Sequence, residues 1–304
     1  MADERADVAI GIATYRRPDL LDDLLRSLSE MTAPCAVSVY VVDNDPDGSG
    51  RETATRYRDL VTEYVIEPEA GIAQARNRFL ESVGQEAWLI FVDDDERVDP
   101  DWLVNLLAAA ERYAPDVVAG PVVPVFPEDA PRWAIDGGFF ERARHPTGTR
   151  LSLAATNNVL VKRSALEALE VPRFDTGYSE TGGSDSDLFH RLVTNGSTIV
   201  WCDEAVVRET VPHSRMTWTW VKTRAERTGN VRARLLLQDG HRSRVLAEGI
   251  ARLVVGATKL AWQRARGRTP TAWALNPWMR GWGLLRALRG GLVKEYSRVG
   301  EPAA

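Results

Sequence analysis

The strongest constraint on this chain is a rhythm. Short apolar runs rich in β-branched residues alternate with stretches whose leucines recur at helical spacing. Residues 8–13 and 37–42 read as strands, and between them Leu20, Leu21, Leu24, Leu25 and Leu28 follow Pro18 on one helical face. The order continues with a strand at 64–66, a helix opening at Gly71, the run Trp88-Leu-Ile-Phe-Val92 and a helix over 101–113. Repetition of strand, helix and strand predicts an α/β fold with a mostly parallel central sheet and helices on both faces. The 88–92 run lacks polar alternation, as a central strand covered on both sides requires. A buried helix segment of that length reads alike, and the surrounding order favours the strand.

Residues 115–150 are rich in Pro, Gly and aromatics and read as an irregular loop region. Strand character resumes over 151–161, residues 185–194 look helical, and 197–201 make a further strand candidate. From about residue 215 the chain reads as helix. These features divide the chain into a nucleotide-binding domain over 1–235 and a C-terminal helical extension over 236–304. The extension differs in charge as well. Residues 241–304 hold 12 Lys/Arg against 3 Glu, whereas the rest holds 26 against 40.

The chain of 304 residues is long enough for a substantial core, and its composition is that of a globular protein, with no nucleic-acid partner expected. Cys35 and Cys202 are too few for a disulfide scaffold and fit a reducing cytoplasm. The acidic N-terminus lacks the basic start and hydrophobic stretch of an export signal. Residues 245–262 are apolar but interrupted by Glu248, Arg252 and Lys259, which argues against a membrane span and leaves association with the membrane surface open.

Chemistry concentrates where strands end. Asp93-Asp94-Asp95-Glu96 follows the 88–92 run directly, at the edge where doubly wound sheets bind ligands, and a hard divalent cation, Mg²⁺ or Mn²⁺, would offset the repulsion. A solvated acidic turn ahead of the next helix is the plainer alternative, and the position after a core strand argues against it. Asp43 and Asn44 end the second strand with groups able to bond a base or ribose, although Asx-rich turns look the same. Gly71-Ile-Ala-Gln-Ala-Arg76-Asn77 opens a helix that suits a phosphate, unless Arg76 is an ordinary surface residue. Downstream, Gly182-Gly-Ser-Asp185-Ser-Asp187 begins a helix with carboxylates; Asp185 can act as a general base or merely cap the helix. In Val211-Pro-His213-Ser-Arg215, His213 can complete a cation's shell and Arg215 can hold a diphosphate.

Taken in order, these pieces resemble the family 2 glycosyltransferases with the GT-A fold, particularly bacterial exopolysaccharide-type enzymes. The resemblance covers residues 7–230 and rests on Thr14-Tyr-Arg-Arg-Pro18, Val42-Asp-Asn44, residues 71–77, Phe91-Val-Asp-Asp-Asp95, Thr156-Asn-Asn158 and residues 182–187. It implies an inverting transfer from a nucleoside-diphosphate sugar, most simply a UDP-sugar, to a saccharide or lipid-linked acceptor. By the same resemblance, Thr14, Tyr15, Arg17 and Asp43 would contact the nucleotide, Asp93 the ribose side and Asp95 the metal, and Asp185 would be the base. Asn44, Arg76, Asn77, Asp94, Asn158 and Arg215 join them in the expected nucleotide-sugar site, and His213 joins Asp95 as a metal ligand. The family commonly has Glu just before that Asp; Ser184 stands here, which opens Asp187 as the alternative base. Trp262, Trp273, Trp278 and Trp282 among the Arg and Lys of the tail suit a membrane interface or a packed helical face equally.

Rival readings fit less well. A sugar-phosphate nucleotidyltransferase would open with a glycine-rich basic loop, absent from residues 14–18, and a dehydrogenase with Gly-x-Gly-x-x-Gly. A carbohydrate-binding relative without activity would keep the fold and every motif short of the base.

Overall fold

The computed structural model describes residues 7–179 and 181–293. The chain begins β1 (Val8–Thr14), α1 (Pro18–Glu30), β2 (Val37–Asp43), α2 (Arg51–Arg56), β3 (Val61–Ile66), α3 (Ile72–Ser82) and β4 (Trp88–Asp93). β1 lies between β2 and β4 and runs parallel to both, and β3 extends the sheet in parallel beyond β2. Pro18 starts α1, where its missing N–H costs nothing, and Leu21, Leu24, Leu25 and Leu28 form its buried stripe.

Next come β5 (Glu96–Val98), α4 (Trp102–Tyr113), β6 (Val117–Ala119), β7 (Val122–Val125), α5 (Arg132–Asp136), β8 (Arg150–Leu151), β9 (Val159–Lys162) and α6 (Arg163–Glu167). The region expected as irregular loop therefore carries two strands and a short helix. Elements of three to five residues are too short to show a period. The strand expected over 151–161 is two short strands, β8 and β9, separated by a loop. Then follow α7 (Ser184–Thr194), β10 (Ile199–Trp201) and β11 (Val207–Thr210).

The large sheet is ordered β3-β2-β1-β4-β9-β6-β10-β8 and is mostly parallel; β9 runs against both its neighbours and β8 against β10. β5, β11 and β7 make a second, three-stranded sheet. The two faces explain the unbroken apolar text of β4. Ile90 and Val92 join the core under α1 and α4, while Leu89 and Phe91 join the opposite core with Phe79, Phe174 and Phe189. Each such side chain, wholly buried, contributes about 1.5–3 kcal/mol.

Two compact units emerge. One runs to Val123 and adds Arg142–Ser179 and Ser184–Glu209; the other takes Pro124–Glu141, residues 181–183 and the described chain from Thr210 onward. The second unit contains α8 (Trp218–Gln238), α9 (Arg242–Ala265) and α10 (Ala272–Leu288), which pack on one another. Its aromatic cluster stacks Trp133 on Trp218 and Phe140 on Trp220.

Candidate functional site

Parallel pairing sets Thr14, at the end of β1, beside Asp43 at the end of β2, and Ala13 beside Asp93 at the end of β4. Because β9 runs the other way, its first residue Val159 pairs with Phe91, so the preceding Thr156–Asn158 reach the same edge. Segments distant in sequence converge on one rim for a topological reason. A small recess there is lined by Arg76, Phe79, Phe91, Asp93 and Thr156.

The acidic residues at this rim are bound from several sides. Thr14 donates its hydroxyl to Asp94 Oδ2 at 2.8 Å, and Arg17 Nη1 donates to Asp94 Oδ1 at 3.3 Å while lying 3.6 Å from Asp95 Oδ2. Arg76, nearly buried, donates to Asp93 Oδ1 at 3.1 Å, with its guanidinium over the Phe174 ring. Beneath them Glu96 is wholly buried and accepts from the Asp93 backbone N–H at 2.9 Å. Glu96 faces Glu209 directly across the β5–β11 pair, an arrangement of like charges that destabilises a sheet unless something compensates. Arg142 pairs with Glu209.

These carboxylates meet Arg17, Arg76 and Arg142, and burial shows in the acidity of Asp93, Asp94 and Glu96. Burial pushes Asp94 up to about 7 despite Arg17. The Asp93 carboxyl is raised by burial against the pull of Arg76, although 35% of its side-chain surface is open. Glu96 is raised well above the carboxylate range by burial first and then by Asp93 and Glu209. Among the described residues no group of three or more His, Cys, Asp or Glu side chains is arranged to hold a metal ion by itself. A cluster of carboxylates raised by burial nevertheless fits the way Mg²⁺ binds, through one or two carboxylates completed by substrate phosphates.

The remaining candidates divide into groups that face the rim and groups that build it. Tyr15 is half-buried at the rim, next to Arg16, whose φ of 53° is held by bonds to Asp45 and Ser49. Asp43 is fully buried and accepts from Asp45 N, Gly50 N and the Tyr64 hydroxyl, whose proton burial and Asp43 hold well above its ordinary range. Asn44 accepts from Gly71 N and donates to the carbonyls of Glu67 and Glu69. Gly71 has φ 135° and lies so close to Ser179 that a Cβ would meet it at 2.6 Å. The helix start expected to present free N–H groups is therefore partly capped by Asn44. Asn77 exchanges two bonds with the Phe174 backbone, at 2.8 and 3.0 Å. Asn158 accepts from Trp102 Nε1 and donates to Pro121 O and Ala205 O. The amide donors of these asparagines hold the walls together.

In α7, Asp187 is buried and ion-paired to Arg191 at 2.8 Å, which in turn clamps the carbonyls of Val171 and Arg173. Asp185 is half-buried and accepts from Ser186 N. Ser184 is wholly buried, and its hydroxyl has no partner among the described residues. His213 and Arg215 belong to the second unit. His213 Nε2 lies 3.1 Å from Asp129 with both side chains exposed, and Arg215 lies over the Trp220 ring. Sequence reasoning missed Glu209 and Arg142, because cross-strand opposition is invisible until the register is known. It quoted Glu96 without giving it a role.

Residues 9–170 match the family described as glycosyl transferase family 2. Succinoglycan biosynthesis protein ExoM of Rhizobium meliloti (strain 1021) is 35% identical over 248 residues, 79% of either chain. S. aureus TarS 1-349 superposes with a TM-score of 0.57 at 17% identity, over 76% of this chain and 64% of that one. The same protein in complex with UDP-GlcNAc gives 0.55 at 15% identity, over 94% and 92%. GalNAc-T7 with UDP, GalNAc and Mn²⁺ gives 0.56 at 13%, over 74% and 52%. At such identities the structures speak for the fold, which is of the GT-A type. The chain belongs to glycosyl transferase family 2.

Proposed function

We propose that this glycosyltransferase moves a sugar, with inversion, from a UDP-sugar to a hydroxyl of a saccharide or lipid-linked acceptor. The observation that carries the reading is the rim itself, where burial raises the carboxyls of Asp93 and Asp94 at the end of β4 in spite of Arg76 and Arg17, with Asp95 beside them. The UDP-GlcNAc bound to TarS supports the donor class, and the name of ExoM supports an exopolysaccharide precursor as acceptor. Asp95 would hold a Mg²⁺ or Mn²⁺ ion, with Asp93 and Asp94 beside it. Such an ion would supply charge stabilisation to the departing nucleoside diphosphate.

The chain's own residues do the rest. Thr14 and Arg17 fix Asp94 and keep the first loop against the rim, while Arg76 holds Asp93 toward the donor's ribose side. Asp185 accepts the proton of the acceptor hydroxyl as that oxygen attacks the anomeric carbon. Asp187 is the lesser candidate for this role, because its carboxylate already anchors Arg191. Holding acceptor and donor in line supplies much of the acceleration, and the base adds about 10²–10⁴-fold. Asp185→Asn should therefore lower kcat by about 10²-fold or more with donor Kd unchanged, measured by release of UDP and by calorimetry. Normal turnover in that variant would remove Asp185 as the base.

A further inference from the structure

α9 is inside out for a helix on a protein surface. Its buried positions are Val245, Gly249, Gly256 and Gln263, while Ile250 and Val254 are 50% and 58% exposed. A surface helix ordinarily turns its apolar stripe inward. Here the inner stripe is small because α9 meets α10 almost backbone to backbone. A Cβ at Gly256 would lie 2.5 Å from the Trp278 nitrogen, and one at Gly281 would lie 2.8 Å from the Gly249 carbonyl oxygen.

The outer stripe runs from Leu246 to Trp262, about 25 Å at 1.5 Å per residue. Its exposed positions are Leu246, Ile250, Val254, Val255 and Trp262, with only Ala and Thr258 between them. The charges of that span are turned aside. Glu248 is held by Arg232 and Arg252, and Lys259 lies over the Trp273 ring at 4.2 Å. Both ends are basic and exposed, with Arg242 and Arg244 before the stripe and Arg264, Arg266 and Arg268 after it. Trp262 contacts Trp273, and Trp273, Trp278 and Trp282 of α10 are exposed as well. Across residues 242–289 there are ten Lys and Arg and one acidic residue, Glu248.

We propose that α9 lies along an anionic lipid bilayer, its Leu246–Trp262 face sunk into the boundary between headgroups and acyl chains. Apolar side chains flanked by arginines suit that boundary, and tryptophan, apolar in body with one polar N–H, settles there. No helix among the described residues is long and apolar enough to cross a membrane, so the helix rests on the surface. A second copy of the chain fits worse. Because both ends of the stripe are positive, pairing two copies in either direction sets arginine beside arginine, whereas an anionic surface neutralises both ends. The inference deepens the proposed reaction by placing the enzyme where a lipid-linked acceptor resides, yet its evidence is separate from the catalytic rim.

The test uses the full chain with vesicles of phosphatidylcholine and phosphatidylglycerol in equal parts, and with phosphatidylcholine alone. Binding should be about tenfold or more tighter to the anionic vesicles, and Ile250→Glu with Val254→Glu should lower it by a similar factor. Both side chains are exposed, so folding should survive, checked by circular dichroism and by turnover on a soluble acceptor. The proposal fails if the wild type ignores anionic vesicles or if the double variant binds them equally. It also fails if light scattering finds a dimer that the substitutions dissolve without any vesicle binding. Lost vesicle binding with turnover intact in the double variant supports the interface, and lost turnover on soluble acceptor by the wild type would strike the reaction alone.

Discussion

Asp94 shows how one residue couples the site to stability. In the folded chain its carboxyl keeps its proton to about pH 7, against an ordinary value of 3.8. Between those values the folded state binds more protons than the unfolded one, so this group's contribution is full below about 3.8 and is lost as pH rises through about 7. The metal-free protein should therefore lose Tm across that window more steeply than Asp94→Asn, whose amide does not titrate. Equal slopes in a pH series of thermal melts would move the effect to Asp93 or Glu96, both raised in the same direction. The same burial makes the rim receptive to positive charge: what costs stability in the free protein becomes affinity when a cation arrives.

Among elements, the short strand β9 matters most, and Asn158 just before it ties three segments together. Its side chain satisfies the Trp102 indole and the carbonyls of Pro121 and Ala205, all buried. Asn158→Ala leaves those groups unpaired at about 1–3 kcal/mol each, so urea denaturation should show a loss of about 3 kcal/mol or more. A loss under about 1 kcal/mol would mean that water replaces the amide. The first four strands and the helices α1, α3 and α4 are legible in sequence because periodicity is local: Leu21, Leu24, Leu25 and Leu28 announce α1 by themselves, whereas the six residues of α2 announce nothing. β5, β7 and β11 are not, since three or four residues define no period, and the reversal of β9 is a fact of pairing rather than of composition. The same boundary runs through the site. Thr14, Arg17, Arg76 and Asp93–Asp95 stand out by their place after strands. Asn77 and Asn158 look like ligands in the text but give their amide N–H groups to main-chain carbonyls, and the Glu96–Glu209 opposition needs the β5–β11 register.

For the whole molecule, donor binding and unfolding are linked, because a ligand that binds only the folded chain raises its stability. At a donor concentration about 100 times Kd the gain is about 2.7 kcal/mol, which shifts Tm by several degrees in a chain of this size. We expect a UDP-sugar to raise Tm in the presence of Mn²⁺ or Mg²⁺, the shift to vanish with EDTA, and Asp95→Ala to lose the metal-dependent part. A shift indifferent to EDTA would detach the carboxylate cluster from the donor.

The reversed strand β9 also sets a timetable for synthesis. β1 to β4 can pair once Asp93 has left the ribosome, but the outer edge of β4 waits for Val159, about 65 residues later. At about 5–20 residues per second that is several seconds. During this interval a strand destined for burial on both faces offers unpaired N–H and C=O groups to any neighbouring nascent chain. A translational pause shortly before residue 159 therefore prolongs the danger of aggregation, and the same pause a few dozen residues later falls after the edge has closed.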